Sequence, residues 1–436
     1  MATIQYHSLL DTDLYKFTMQ QAIMQHYPTA EVSYQFTNRA GTPFTREAFD
    51  VFRLAVEAFA SVSLTAEEKE WLRKSCPYFT DEYLSYLASY RFKPSQVEIL
   101  FTVSPDRNDL GAISIRIAGP WLETVLWEVP LMAILSEVYF AYVDKNWSYN
   151  NPLDMVAAHA PSDCIAQEAL AYHKAYRLLT HGCTFSEFGT RRRRSYHAQD
   201  IVMRGLVRAA EDYADAPGKL SGTSNVHFAM KYGTAPIGTI AHEWFMGVSA
   251  ITSYDTGNII ALKLWQKTYK DKLLIALTDT FSTKVFFSAL MNDPDGPEIM
   301  QTWTGLRQDS GDPLTFARCA KEVYNSLGID NGSKVIVFSD SLDVDHCLKL
   351  REAAGKGGDG LGFIVSFGIG THLTNDFNKL SSLDAMSAKS KALNIVIKIS
   401  SINGRHCVKI SDDIMKNTGD TTAVHHVKQL FGLHSL

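Results

Sequence analysis

Short apolar runs that end in a polar cluster recur through the middle of the chain. In Gly238-Thr-Ile-Ala-His-Glu-Trp-Phe-Met-Gly247, Ile240 and Ala241 lead into His242 and Glu243. That is the pattern of a buried strand whose carboxyl end opens on a polar site. The same ending returns at Glu187-Phe188-Gly189-Thr190-Arg191, Thr223-Ser224-Asn225, Thr278-Asp279-Thr280, Arg307-Gln-Asp-Ser-Gly-Asp312, Ser339-Asp340-Ser341 and Phe367-Gly-Ile-Gly-Thr371. Several intervals are about 30 residues, the length of one β-α unit. An open doubly wound sheet would gather such ends only at a switch point, whereas a ring of parallel strands brings all of them to one face. The pattern therefore predicts a (β/α) barrel over 146–375, introduced by Ala-rich helical sequence from Ala157 to Leu179.

The flanks have another texture. Glu31 to Arg39 alternates polar and apolar residues, and Val97 to Val103 and Ala112 to Ile117 read as two further strands. A helix is expected from Leu14 to Met24, capped by Asp11 or Thr12, and Thr65-Ala-Glu-Glu68 is a capping box opening another. Residues 1–145 thus form an amino-terminal α/β domain. Beyond Asn375, Leu393 to Ser400 and Arg405 to Ile410 flank Asn403-Gly404, a strong hairpin signal, so 376–436 is expected to pack back on the amino-terminal domain. Trp121 to Val143 is apolar but carries Glu123, Glu128, Pro130 and Glu137, which favours a buried core segment over a membrane span.

Composition narrows the partner. With 436 residues, 46% hydrophobic, 20% charged and a net charge of -5, the chain has no general electrostatic reason to bind nucleic acid, and a small-molecule partner is expected. The six cysteines include no C-x-x-C pair and read as reduced thiols of a cytoplasmic protein. No signal peptide or lipidation motif opens the sequence, and no membrane partner is expected.

The polar endings carry chemistry of their own. Gly368 and Gly370 let backbone N–H groups close around a phosphate, with Thr371 adding a hydroxyl; a plain tight turn is the alternative. Arg307 could hold a substrate carboxylate, and Asp309 with Asp312 a ribose hydroxyl or a hydrated Mg2+, against a self-satisfied turn. If Arg191 to Arg194 leave a barrel strand, one or two of them face the same site. Neither His-x-His nor His-Glu-x-x-His occurs around His242, so no residue is assigned as a metal ligand.

Taken together, Leu10-Asp-Thr-Asp-Leu-Tyr-Lys-Phe-Thr-Met19, Glu187 to Arg194, Gly222-Thr-Ser-Asn225, Gly238 to His242, Leu277-Thr-Asp-Thr-Phe281, Arg307 to Asp312, Ser339 to Ser341 and Phe367 to Thr371 resemble the nicotinate phosphoribosyltransferase family, in order and over nearly the whole chain. The resemblance implies an α/β protein: an irregular (β/α) barrel of the type II phosphoribosyltransferase kind with a second α/β domain built from both termini. It implies ATP-coupled synthesis of nicotinate mononucleotide and pyrophosphate from nicotinate and 5-phosphoribosyl 1-pyrophosphate, with Mg2+, in NAD salvage. His242 matches the family's phosphohistidine. Asp279, or else Glu243, is the candidate to hold its other ring nitrogen, and Asp309 joins them as a catalytic candidate. Tyr15, reaching in from the partner subunit of a homodimer, and Phe188 match aromatic faces for the pyridine ring. Thr239 and Arg307 match nicotinate contacts, Gly368, Gly370 and Thr371 the phosphate cradle, and Arg191 and Ser341 complete the substrate-binding set. Nicotinamide phosphoribosyltransferase is the alternative; the arginine run favours the acid over the amide.

Overall fold

The computed structural model describes residues 4, 6–150, 159–238, 240–357, 359–380, 389–413 and 416–433. Seven parallel strands form one curled sheet in the order Ala235–Pro236, Lys219–Thr223, Thr184–Glu187, Ile364–Ile369, Val335–Phe338, Gly305–Gln308 and Ile275–Leu277. Their registers run in step, Phe338 opposite both Phe367 and Gln308, and Glu187 opposite Ile369 and Thr223, so the polar endings emerge at one edge. Among the described residues no ladder joins the outermost strands, and the sheet is a half-barrel.

One expected strand is absent. Ile240 and Ala241 are irregular, and His242 opens a buried helix, His242–Ile251, with Ala241 as N-cap. The strand of this unit is the earlier Ala235–Pro236, paired with Gly222 and Thr223. A short apolar run cannot be told from a buried helix by periodicity, and here the run continues through Trp244, Phe245, Met246 and Val248, all buried. The Ala-rich segment forms the helix Ala166–Thr180, while Ala157 and Ala158 lie outside the described residues.

The two ends of the chain build the second unit. Ile395–Ile402 pairs antiparallel with Glu31–Asn38, Val32 facing Ile402 and Phe36 facing Ile397, and Glu31–Asn38 pairs in turn with Leu110–Pro120. Val97–Val103 and Phe44–Thr45 pair with Leu110–Pro120 as well, and Arg405–His406 completes six antiparallel strands. The alternation in Glu31–Asn38 buries Val32, Tyr34 and Phe36, and the positive φ of Asn403 (48°) and Gly404 (76°) makes the tight hairpin. Thr65 and Glu68 form the capping box of Ala66–Ser75. The apolar segment folds as Trp121–Thr124 and Glu128–Tyr142, buried in the main core beside Trp127. The first helix, Leu14–His26, takes Asp13 as N-cap, not Asp11 or Thr12; Asp13 makes no side-chain capping bond and accepts Ser224 Oγ–H at 2.8 Å, while Asp11 is held by Arg193.

The units meet over the strand ends. Helix His242–Ile251 packs against Ile395–Ile402, which places His242 at their junction. The chain then returns along the open half-barrel edge, where Ile410 N–H donates to Thr280 O at 2.7 Å and Phe281 bridges Ile410 in parallel. A small separate core of Phe281, Val285, Val408, Ile410, Val427 and Leu433 holds this return and the helix Thr421–Leu430 in place.

Candidate active site

A cavity of about 940 Å³ opens at the carboxyl ends of the parallel strands, under the second unit. Nine of its lining side chains are Lys or Arg and five are Asp, the composition of an anion site. The half-barrel supplies Phe188, Arg191, Arg192, His242, Arg307, Asp309, Ser341, Gly368, Gly370 and Thr371; the second unit supplies Arg39, Lys391, Lys398, Lys409 and Lys416. An adjoining cavity of about 40 Å³ lies between Tyr15, Glu128, Arg191, His242, Arg307, Asp309 and Lys398.

His242 is 5% exposed. Its Nδ1 lies 3.0 Å from Thr280 Oγ1, and its Nε2 lies 2.9 Å from Lys409 Nζ, 3.2 Å from Asp309 Oδ2 and 3.6 Å from Asp279 Oδ1. Burial, then Lys409, push the imidazole pKa down to about 4 against the pull of Asp279 and Asp309, so the ring is neutral near pH 7. With Nε2 accepting from the ammonium, Nδ1 carries the proton and donates to Thr280 Oγ1.

Thr280 therefore orients the ring, in place of the expected Asp279 or Glu243. Asp279 stands on the Nε2 side and accepts from Ser310 Oγ at 2.5 Å and Ser411 Oγ at 3.3 Å. Glu243 points away from His242: Oε2 takes Lys16 Nζ at 2.6 Å, and Oε1 takes Tyr34 OH at 2.6 Å and Trp121 Nε1 at 2.8 Å. One residue past His242 on a helix, its side chain leaves in another direction.

Arg307 and Asp309 form a braced pair. Arg307 donates from Nε to Ser339 Oγ at 2.8 Å and from its terminal nitrogen to Asp309 Oδ1 at 3.1 Å, and its guanidinium lies 5.9 Å from the Phe188 ring centroid. Ser339 Oγ also donates to Asp309 Oδ1 at 2.7 Å. Burial raises the Asp309 carboxyl, but Arg307, His242 and Lys409 outweigh it and hold it well below the usual range. Asp312 does not join Asp309: it caps the helix Pro313–Ser326 by accepting Thr315 N–H at 2.7 Å.

The arginine run divides. Arg191 and Arg192 line the large cavity, while Arg193 makes a buried bidentate pair with Asp11 at 2.7 Å and Arg194 is buried over Phe140 and bonded to Ser390. Near the end of Ile364–Ile369, a Cβ on Gly368 would lie 2.4 Å from the Phe188 ring, so glycine is what lets that ring cover the strand end. Gly370 then caps a short helix, Thr371–Thr374, and Gly370, Thr371 and His372 line the cavity there. Ser341 lines the same wall at φ 50° and donates to Asp340 Oδ1. Thr239 lies outside the described residues.

Tyr15 stands where a single chain can use it. Its helix is seated on this chain's own half-barrel, Leu14 N–H donating to Ser224 O at 2.8 Å, and its ring lines the small cavity with Arg191 and Arg307. Tyr15 reaches this cavity from its own chain's helix.

His242, Asp279 and Asp309 offer donor atoms within 4.8 Å of one another. Lys409 Nζ already sits among them, 2.9 Å from His242 Nε2 and 3.4 Å from Asp279 Oδ2. A dication there would face an ammonium at contact distance, so this set does not fit a resident Mg2+.

The motifs missed Lys398, Lys409 and Lys416, all carried by the tail. Burial pushes Lys398 down to about 8 despite Glu128, and Arg191 and Lys409 add to the fall. Lys416 donates to Asp309 O at 3.1 Å and Asp340 Oδ1 at 2.5 Å. The signal was a lysine interrupting each apolar run, Ile397-Lys398-Ile399 and Val408-Lys409-Ile410.

A half-barrel that meets a cationic roof over a bare glycine turn is suited to hold a sugar with phosphates at both ends, and the fold is that of the type II phosphoribosyltransferase class. The chain belongs to the nicotinate phosphoribosyltransferase family: residues 10–136 match the nicotinate phosphoribosyltransferase (NAPRTase) N-terminal domain and residues 183–435 the nicotinate phosphoribosyltransferase (NAPRTase) family. A nicotinate phosphoribosyltransferase of Methanosarcina mazei is 43% identical over 435 residues, covering 98% of this chain and 99% of that one; one of Saccharomyces cerevisiae is 38% identical over 433 residues, covering 98% and 95%. Among solved structures, one from Saccharomyces cerevisiae superposes with a TM-score of 0.90 at 38% identity, covering 99% of both chains. A nicotinate phosphoribosyltransferase from Porphyromonas gingivalis gives 0.81 at 32% identity, covering 98% of this chain and 100% of that one.

Proposed function

We propose that the chain joins nicotinate to 5-phosphoribosyl 1-pyrophosphate, coupled to ATP through a phosphohistidine at His242. The observation that carries this reading is a neutral, buried imidazole whose accepting nitrogen faces a cation-lined cavity.

Nicotinate lies with its ring against Phe188 and Tyr15 and its carboxylate toward Arg307 and Arg191. The glycine turn and Thr371 take the 5-phosphate, and the roof lysines take the pyrophosphate. The pyridine nitrogen uses its lone pair to form the bond to ribose C1, the C1–O bond breaks, and pyrophosphate leaves with that electron pair. No base is required, because the attacking nitrogen carries no proton. The site contributes orientation and cations placed where negative charge grows on the leaving group. Mg2+ enters as the counter-ion of the polyphosphate substrates.

His242 Nε2 attacks the γ-phosphorus of ATP and ADP departs with the bridging oxygen's electrons. The phosphoryl group then lies beside the carboxylates of Asp279 and Asp309, which repel it, and the ammonium of Lys409, which holds it. It is retained at least cost while substrate and roof cations are in place, which supplies a physical route for coupling.

Product analysis tests this with nicotinate and nicotinamide as acceptors, with and without ATP. The expected product is nicotinate mononucleotide, more of it with ATP. Arg307→Ala should lower nicotinate turnover by the roughly 2 to 5 kcal/mol of a truncated charged contact while leaving the fold intact. Equal use of nicotinamide, or wild-type nicotinate kinetics in Arg307→Ala, would contradict the assignment.

A further inference from the structure

Val408 to Asp412 crosses from the second unit onto the strand ends. Val408 and Ile410 point into the small apolar core, and the intervening Lys409 and the next residue, Ser411, point to the site, the alternation of an extended segment. Three contacts clasp it to the half-barrel. Ile410 N–H donates to Thr280 O at 2.7 Å, and Ser411 Oγ donates to Asp279 Oδ2 at 3.3 Å. The Asp412 carboxylate accepts Thr283 N–H at 2.9 Å and Thr283 Oγ1–H at 2.6 Å, at the N-terminus of the helix Thr283–Asn292. A carboxylate there also meets the positive end of the helix dipole. Across from it, Gly311 has φ 75°, and a Cβ on it would come within 3.1 Å of Asp412 Cβ. The glycine of Arg307 to Asp312 thus makes room for this clasp as well as for its own turn.

We propose that Asp412 is a positioning residue that pins this segment so that the Lys409 ammonium is held against His242. It acts through Lys409 and lines neither cavity. A lysine head on a flexible stem can be placed only as firmly as the backbone that carries it. The role rests on the reading of the cavity as the phosphate-bearing site, in which Lys409 serves the phosphates and His242.

The test compares Asp412→Ala, Thr283→Val, Lys409→Met and the Asp412→Ala/Lys409→Met double variant. Lys409→Met is expected to raise KM for 5-phosphoribosyl 1-pyrophosphate about tenfold, one charge-assisted contact. Asp412→Ala should raise it several-fold with nicotinate KM unchanged, and the double variant should be no worse than Lys409→Met. Thr283→Val removes one hydroxyl, keeps the helix, and should shift KM in the same direction. NMR titration of the His242 ring should move up in Asp412→Ala, since part of the nearby positive charge has withdrawn. A lower melting temperature with unchanged KM and unchanged His242 titration would overturn the positioning role. So would additive losses in the double variant. Unchanged KM in Lys409→Met would instead refute the underlying reading of the site, and the positioning role with it.

Discussion

At the scale of one residue, His242 is set by the groups on its two nitrogens. Thr280 holds Nδ1, and Lys409 meets Nε2 against two carboxylates. With a pKa near 4, below the usual 6.5, the folded chain resists a proton that the unfolded chain accepts. Stability from this group is therefore full above about pH 6.5 and is lost as pH falls toward 4, by roughly 3 kcal/mol. Phosphoryl uptake should accordingly keep its full rate down to about pH 5, and Lys409→Met should move the acidic limb to higher pH. A pH profile of phosphohistidine formation measures both. An ordinary limb near 6.5 in the wild-type chain would show that the ring is not desolvated as described.

At the scale of elements, the end of Ile364–Ile369 is covered by Phe188, which lies over Gly368. Gly368→Ala should push that ring away and raise the KM for nicotinate about tenfold or more, since a Cβ at 2.4 Å cannot be absorbed by a rigid strand. Unchanged nicotinate kinetics would mean the ring is not part of the base subsite. Most of the parallel strands were legible because each ran apolar and stopped at a polar cluster. Ile240-Ala241 was not, because a buried helix and a buried strand look alike over so few residues. Arg307, Asp309, Phe188 and the glycine turn could be read from local motifs. Lys398 and Lys409 could not, since Lys398 is brought in by the pairing of Ile395–Ile402 with Glu31–Asn38 and Lys409 by the return of the chain past Thr280 and Phe281, contacts between distant parts of the chain. Thr280 was hidden behind the more conspicuous Asp279, because orientation on the strand end, and not residue type, decides which of the two meets Nδ1.

At the scale of the whole molecule, distant parts of one chain line the site. The amino-terminal helix brings Tyr15, the half-barrel His242 and Arg307, and the tail Lys398 and Lys409. Mixing Tyr15→Ala with Arg307→Ala chains, with time for subunit exchange, should therefore restore no activity beyond the sum of the two. Recovery toward half the wild-type rate would mean that subunits trade Tyr15 after all. The same convergence explains why the tail is more than a cover: it enters the small core around Phe281 and returns Lys409 and Lys416 to the strand ends.

In the proposed mechanism His242 accepts phosphate from ATP on the nitrogen facing the cationic cavity. The direct measurement is incubation with ATP labelled in its γ-phosphate, followed by peptide mapping under alkaline conditions that preserve phosphohistidine. The expected result is acid-labile label on the peptide containing His242, released when nicotinate and 5-phosphoribosyl 1-pyrophosphate are added, and no label in His242→Ala. Undiminished label in His242→Ala would contradict it.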